Sequence, residues 1–173
     1  MLEQFLATFA ATFAGVILSF LLWFGGVKFF EHQHEKKARN HLYKEIVDEI
    51  NLNITLLGTF AKTIERELKK GKISALGLKL DISARSSAIS SGELRLISDP
   101  EQRQLVRYSA YRCEMFNHFV ENTELLLAII NLKDQPRALR QATERLNNLK
   151  EDARSTARYL QEHIIDKLTG PQR

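Results

Sequence analysis

Hydrophobic and polar positions divide this chain into three regimes. The first is apolar on every side. From Phe5 to Val27 there are 23 residues without a charge, FLATFAATFAGVILSFLLWFGGV. About 20 apolar residues at ~1.5 Å rise cross the ~30 Å hydrocarbon core of a bilayer, so the pattern predicts a transmembrane helix. The second regime is amphipathic. From Lys28 to Lys70 there is no proline and the only glycine is Gly58. Tyr43, Val47, Ile50, Ile54, Leu57, Ala61, Ile64 and Leu68 are spaced 4-3-4-3-4-3-4, and Ile46, Asn53 and Phe60 widen the stripe. That periodicity predicts one long helix running on from the membrane segment. Its stripe needs a partner, either helices of the same chain or further copies. Lys69-Lys70-Gly71 supplies cations and then a glycine stop.

The third regime begins less regularly. Leu78, Leu80 and Ile82 alternate with polar residues, as in a short strand. A short helix from about Asp81 to Ser90 fits equally, broken by Gly92. Ser98-Asp99-Pro100-Glu101 then reads as a helix start, and the next helix extends to about Leu132. Val106, Ala110, Cys113, Phe116, Val120, Leu127 and Ile130 form its main stripe. Leu105, Tyr108, Met115, Phe119 and Leu126 form an adjacent one, and together they predict the wide face of a central helix. Lys133-Asp134-Gln135-Pro136 is a turn and restart. A last helix carries Leu139, Ala142, Leu146, Leu149, Ala153, Leu160, Ile164 and Leu168, closed by Gly170-Pro171. The expectation is an all-α chain. Residues 1–30 form a transmembrane anchor continuing into a long amphipathic helix, and residues 31–173 form a three- to four-helix bundle.

Charge gives the apolar segment a direction. No Lys or Arg precedes it, whereas Lys28, Lys36, Lys37, Arg39 and Lys44 follow. The positive-inside bias predicts an inner-membrane, single-pass topology with the N-terminus outside and residues 31–173 cytoplasmic. A cleaved signal peptide fits poorly, because the leading residues are acidic, the apolar core is too long, and the aromatics Trp23, Phe24, Phe29 and Phe30 around its end suit a membrane interface. The formal net charge of +4 is concentrated beside the predicted bilayer, where each cation near anionic lipid contributes about 1 kcal/mol. No basic run alternates with aromatics, so nucleic acid is not indicated as a partner. Cys113 is the only cysteine, which excludes an internal disulfide and fits a reducing compartment. The sequon Asn53-Ile54-Thr55 falls within the helical stripe on the predicted cytoplasmic side, where it has no glycosylation role.

Three groups of residues are candidates for a function. Ala7, Ala11, Gly15 and Ser19 recur every four residues of the membrane segment, opposite Phe5, Phe9, Phe13, Ile17 and Leu21. Small residues at that spacing let helix backbones approach, which makes this face a candidate for homo-oligomerisation. Arg112 precedes His118 with five residues between, and Arg158 precedes His163 with four. This spacing resembles the Arg-x(4–6)-His signature of HEPN domains, all-helical modules that often act as dimeric, metal-independent ribonucleases. The resemblance implies Arg158, His163, Arg112 and His118 as candidate catalytic residues, with His moving a proton and Arg steadying phosphate charge. Read without it, they are structural histidines and surface arginines. Residues five or six apart lie ~140° or ~240° apart around a helix and share a face only with a kink or a second subunit. His32, His34 and His41 lack the i, i+3 or i, i+4 spacing of a metal site. No pattern for a metal, a cofactor, a phosphate-cradling loop or a catalytic triad is recognisable.

The anchor followed by Leu42-Tyr43-Lys44-Glu45-Ile46 and Glu49-Ile50-Asn51-Leu52-Asn53, with Ser91-Gly92-Glu93-Leu94 on to Leu105 and Tyr108, resembles uncharacterised bacterial single-pass membrane proteins with a helical cytoplasmic domain. More distantly, an anchor plus a helical domain plus Arg-x4-His resembles the membrane accessory proteins of type VI-B CRISPR systems, which form ring-like oligomers around a divergent HEPN fold. Anchor, stripes and small-residue face together predict a membrane-anchored interaction or assembly module with the lipid bilayer, further copies of itself and an unknown protein as partners. The alternative that the resemblances leave open is an antiviral defence effector, either a ribonuclease or a membrane-permeabilising oligomer.

Overall fold

The computed structural model describes residues 2–70, 77–131 and 136–169, with side chains placed for 12–70, 77–128 and 140–169. Among them the chain is all helical and contains no strand. Helix α1 spans Leu2–Lys70, α2 Ser83–Ser91, α3 Pro100–Asn131 and α4 Pro136–Tyr159. A 3-10 turn, Glu93–Leu96, separates α2 from α3. After α4 the chain continues through a π-helical segment, Leu160–Ile165, into a last turn α5, Asp166–Thr169. The turn expected at Lys133–Pro136 and the closing Gly170-Pro171 lie outside the described residues, save for Pro136 at the start of α4.

Two compact units are present, Met1–His41 and Leu42–Arg173. In the first, every described side chain from Thr12 to Gly25 is exposed. Leu22 is 70 % exposed and Trp23 65 %, so within this unit no described residue shields that apolar surface from solvent. By length and composition, this part of α1 is able to cross a membrane.

The second unit has one core, drawn from α1, α2, α3, α4 and the π segment. On α1 the buried positions are Leu42, Ile46, Ile50, Leu57, Phe60, Ala61 and Ile64, together with the polar Glu49 and Asn53. Tyr43, Val47, Ile54 and Leu68 are only partly buried. The stripe is therefore rotated away from the heptad read by apolar spacing. Hydrogen bonds draw Glu49 and Asn53 inward, and the apolar positions beyond them move to the edge. On α3 the main stripe is buried from Val106 to Leu127, its last member Ile130 lying outside the described side chains, and Phe116 packs edge-on against Phe60 of α1 at 6.0 Å. The second stripe is only partly covered: Leu105 and Phe119 pack against the core, while Tyr108 remains 48 % and Met115 50 % exposed. On α4, Ala142, Leu146, Leu149 and Ala153 are buried. The π segment inserts a residue into the helical phase, so that Ile164 and Ile165 both enter the core.

The segment 77–82 resolves the ambiguity between strand and helix. It is extended without a strand partner, and α2 begins directly after it. The backbone groups of Leu80 and Asp81 are satisfied by asparagines of α1 and α3. Asn53 accepts from Asp81 N at 2.9 Å and donates to Asp81 O. Asn117 accepts from Leu80 N at 2.7 Å and donates to Leu80 O at 3.0 Å. The two amides imitate the two edges of a β-ladder, which lets Leu80 be buried without leaving backbone groups unpaired. At the far end of α2, Gly92 takes φ 77°, the left-handed cap that favours glycine.

Beneath this segment lies a buried charge. Arg85 of α2 is fully enclosed and pairs through Nε with Glu49 of α1. Its Nη1 donates to Ser109 Oγ of α3 at 3.1 Å, its Nη2 to Asp81 O at 3.0 Å, and both contact Cys113 Sγ at 3.6 Å. The other carboxylate oxygen of Glu49 accepts from Ala84 N. Burial raises the Cys113 thiol pKa, and the neighbouring guanidinium partly opposes that. Arg103, off the apolar stripe, also has a structural contact: it donates to Ile97 O at 2.7 Å and Ser98 O at 3.2 Å, fastening the loop before α3.

Two stability measurements follow from this packing. Phe116→Ala should lose about 3–5 kcal/mol and with it the cooperative melt, whereas exposed Lys62→Ala should melt like wild type. Glu49→Leu strands the Arg85 charge and should cost about 3–5 kcal/mol, and Glu49→Leu with Arg85→Met should regain most of that loss in denaturant titrations.

Candidate functional site

The surface of the second unit that stands apart chemically lies where the open stripe of α3 meets α4 and the π segment. Leu105, Tyr108, Arg112, Met115 and Phe119 repeat at three- and four-residue spacing along α3. Asp152, Ser155, Thr156 and Tyr159 approach from α4. Two adjoining hollows result, and both include Tyr108. One, of about 450 Å³, is lined by Tyr108, Tyr111, Arg112, Met115, Phe119 and Asp152 among others. The second, about 340 Å³, lies among Glu101, Gln104, Leu105, Tyr108 and Tyr159.

Tyr159 organises the site. The Arg112 guanidinium sits 4.8 Å from its ring centre, in cation–π range. Tyr108 meets the same ring edge-on at 5.5 Å, and the His163 imidazole stacks on it at 5.1 Å and 25°. Arg112 also donates from Nη2 to Ser155 Oγ at 3.3 Å, while its Nε is buried without a hydrogen-bond partner. Burial pushes the Tyr159 hydroxyl pKa up; Tyr108 adds to this and Arg112 opposes it. Burial likewise raises the Asp152 carboxyl, with Arg112 pulling it down.

The structure redistributes the sequence candidates. Arg112 and His163, taken from the two different Arg/His spacings, contact the same tyrosine ring. His118 points to solvent and faces Glu121 at 3.5 Å. Arg158 is exposed in the last turn of α4. Among the described residues, no hydrogen bond or ion pair joins Arg112 to His118 or Arg158 to His163. In the first unit, Ser19 is exposed, and a Cβ added at Gly15 would meet nothing within 4 Å. The side chains of Ala7 and Ala11 lie outside those described. His32, His34 and His41 are exposed, and the described residues contain no group of three His, Cys, Asp or Glu placed to hold a metal. Tyr159 was not singled out by periodicity, because it lies beside the α4 stripe and its contacts are made across the sequence.

No protein-family model matches this chain, and no curated protein or solved structure matches it at a significant level.

The site carries a pH dependence of definite sign. Asp152 titrates above its ordinary value of 3.8 in the folded state, so its ionisation opposes folding as pH rises through the folded pKa. Asp152→Asn removes that effect. Its melting temperature relative to wild type should rise from about pH 4 to about pH 7; a flat or falling difference would mean that the Arg112 attraction outweighs burial.

Proposed function

We propose that this chain is a membrane-anchored helical assembly module. Residues 5–27 cross the inner membrane with the N-terminus outside. The helical bundle stands at the cytoplasmic face, self-associates and offers a recognition surface to a protein partner. One observation carries the reading: every described side chain of the apolar stretch Thr12–Gly25 is exposed. Such a surface is stable only in lipid or against other chains. Lys28, Lys36, Lys37, Arg39 and Lys44 on one side of it support the orientation. Self-association through Ala7, Ala11, Gly15 and Ser19 is supported by the open space around Gly15 within the protomer. The tyrosine-centred groove supports recognition, since Tyr, Met and Arg are the residue types enriched at interfaces.

The orientation is tested by C-terminal fusions: alkaline phosphatase should be inactive and a fluorescent protein bright, and the opposite pair of results would reject the topology. Assembly is tested by Gly15→Leu. Because a side chain there meets nothing inside the protomer, a loss of oligomers in detergent or bilayers reports contact between copies, and Leu21→Ile should leave them unchanged.

A further inference from the structure

We infer that the larger hollow between α3 and α4 is a binding site for a small zwitterion, an α-amino acid with an apolar or aromatic side chain, held by Arg112 at its carboxylate and by Asp152 at its ammonium group. The inference goes beyond the assembly reading and stands without it, because it concerns one cluster of side chains within the helical unit.

The first support is what the hollow is made of. Its volume of about 450 Å³ falls among those of small-molecule sites, about 300–1,000 Å³, which are mostly apolar with a few placed polar groups. Tyr108, Tyr111, Met115 and Phe119 give it aromatic and thioether surface. Among the described residues, Arg112 and Asp152 are the charged members of its lining.

The second support is the state in which those two charges are left. Among the described residues, Asp152 receives no hydrogen bond and forms no ion pair, even with Arg112. The two are nonetheless near enough for Arg112 to act on the Asp152 carboxyl through its charge. Arg112 gives Nη2 to Ser155 and sets its guanidinium over the Tyr159 ring. Its Nη1 is neither enclosed nor matched with an acceptor among the described residues. A cationic donor and an anionic acceptor therefore share one hollow without satisfying each other.

These charges select the ligand. A simple carboxylate set against Arg112 brings a second anion beside Asp152. A simple amine set against Asp152 brings a second cation beside Arg112. Either arrangement adds a like-charge repulsion at short range. An uncharged apolar molecule would exclude water from both ions and replace it with nothing. A ligand with both charges on neighbouring groups meets each ion with its opposite, through charge-assisted hydrogen bonds. An α-amino acid carries its ammonium and carboxylate on one carbon, and the tyrosine, methionine and phenylalanine surface suits an apolar side chain.

The test uses the full chain in nanodiscs and three probes that share one apolar body: L-phenylalanine, phenethylamine and hydrocinnamate. Binding is read by saturation-transfer NMR and by calorimetric titration at pH 7. L-Phenylalanine should bind with a Kd of about 1 mM or tighter, at least about tenfold tighter than the amine or the acid. Asp152→Asn removes the anion and should invert the order, with hydrocinnamate now the better ligand. Arg112→Met removes the cation and should invert it towards phenethylamine. Each inversion is a gain of binding, which misfolding does not produce. The inference is overturned if no probe binds the wild-type chain, if the amine or the acid binds it as well as L-phenylalanine, or if Asp152→Asn leaves the order of the probes unchanged. N-acetyl-L-phenylalaninamide is uncharged and imitates a phenylalanine within a chain, and it should bind more weakly than the free amino acid. Tighter binding of that probe would make the hollow a receptor for a partner protein's side chain and would equally reject the zwitterion.

Discussion

The helical unit depends on one buried ion pair. Arg85 and Glu49 are taken from water together, and a charge so placed is tolerable only where its partners are fixed. Here they come from α1, α2, α3 and the carbonyl of Asp81. The pair therefore does what apolar contacts cannot. A leucine stripe that slides by one turn finds another leucine, whereas Arg85 displaced by one turn loses its carboxylate and leaves both charges buried alone. Asn53 and Asn117 add the same constraint on either side of residues 77–82, each gripping one peptide of the segment. Polar contacts set the register of α1 against α3, and apolar packing, with Phe60 against Phe116 at its centre, supplies most of the cohesion.

How much of this was legible follows from the range of each interaction. The long helices, the start at Pro100 and the break at Gly92 are local signals of period and backbone preference, and they match the structure. The described positions of the main stripe of α3 and of the one on α4 are buried, because consecutive turns face a single core. The rotation of α1 was hidden because Glu49 looks like a solvent-facing residue, and Asn53 only an edge of the stripe, until their partners, 36 and 28 positions away, are known. Their place within an otherwise apolar face was the available hint. The second stripe of α3 was read as core, since periodicity shows that a face is apolar and not whether anything covers it. The tyrosine-centred site is the extreme case: Arg112 and His163 fell in separate motifs, and only the packing of α4 on α3 sets them on one ring.

Among the described residues two apolar surfaces are exposed, and they differ in chemistry. The first-unit surface is made of Phe, Leu, Ile and Val with a tryptophan at its end, and it carries no charge from Phe5 to Val27. That composition suits hydrocarbon. The α3 surface mixes tyrosine hydroxyls, methionine and flanking ions of both signs. A bilayer would penalise those groups, and an aqueous protein interface can satisfy them.

The enclosed thiol of Cys113 has a practical consequence for a protein attached to lipid, where calorimetry and denaturant titration are difficult to interpret. The side chain is fully buried against Arg85, and its pKa is raised by that burial, so the folded chain offers no reactive thiolate. Opening of the core around α3 exposes it. Where reclosing outpaces the reagent, the rate at which a thiol reagent modifies this chain in an intact membrane follows the fraction of time the helical unit is open. Compared across variants, that rate gives their relative opening free energies without removing the protein from its bilayer.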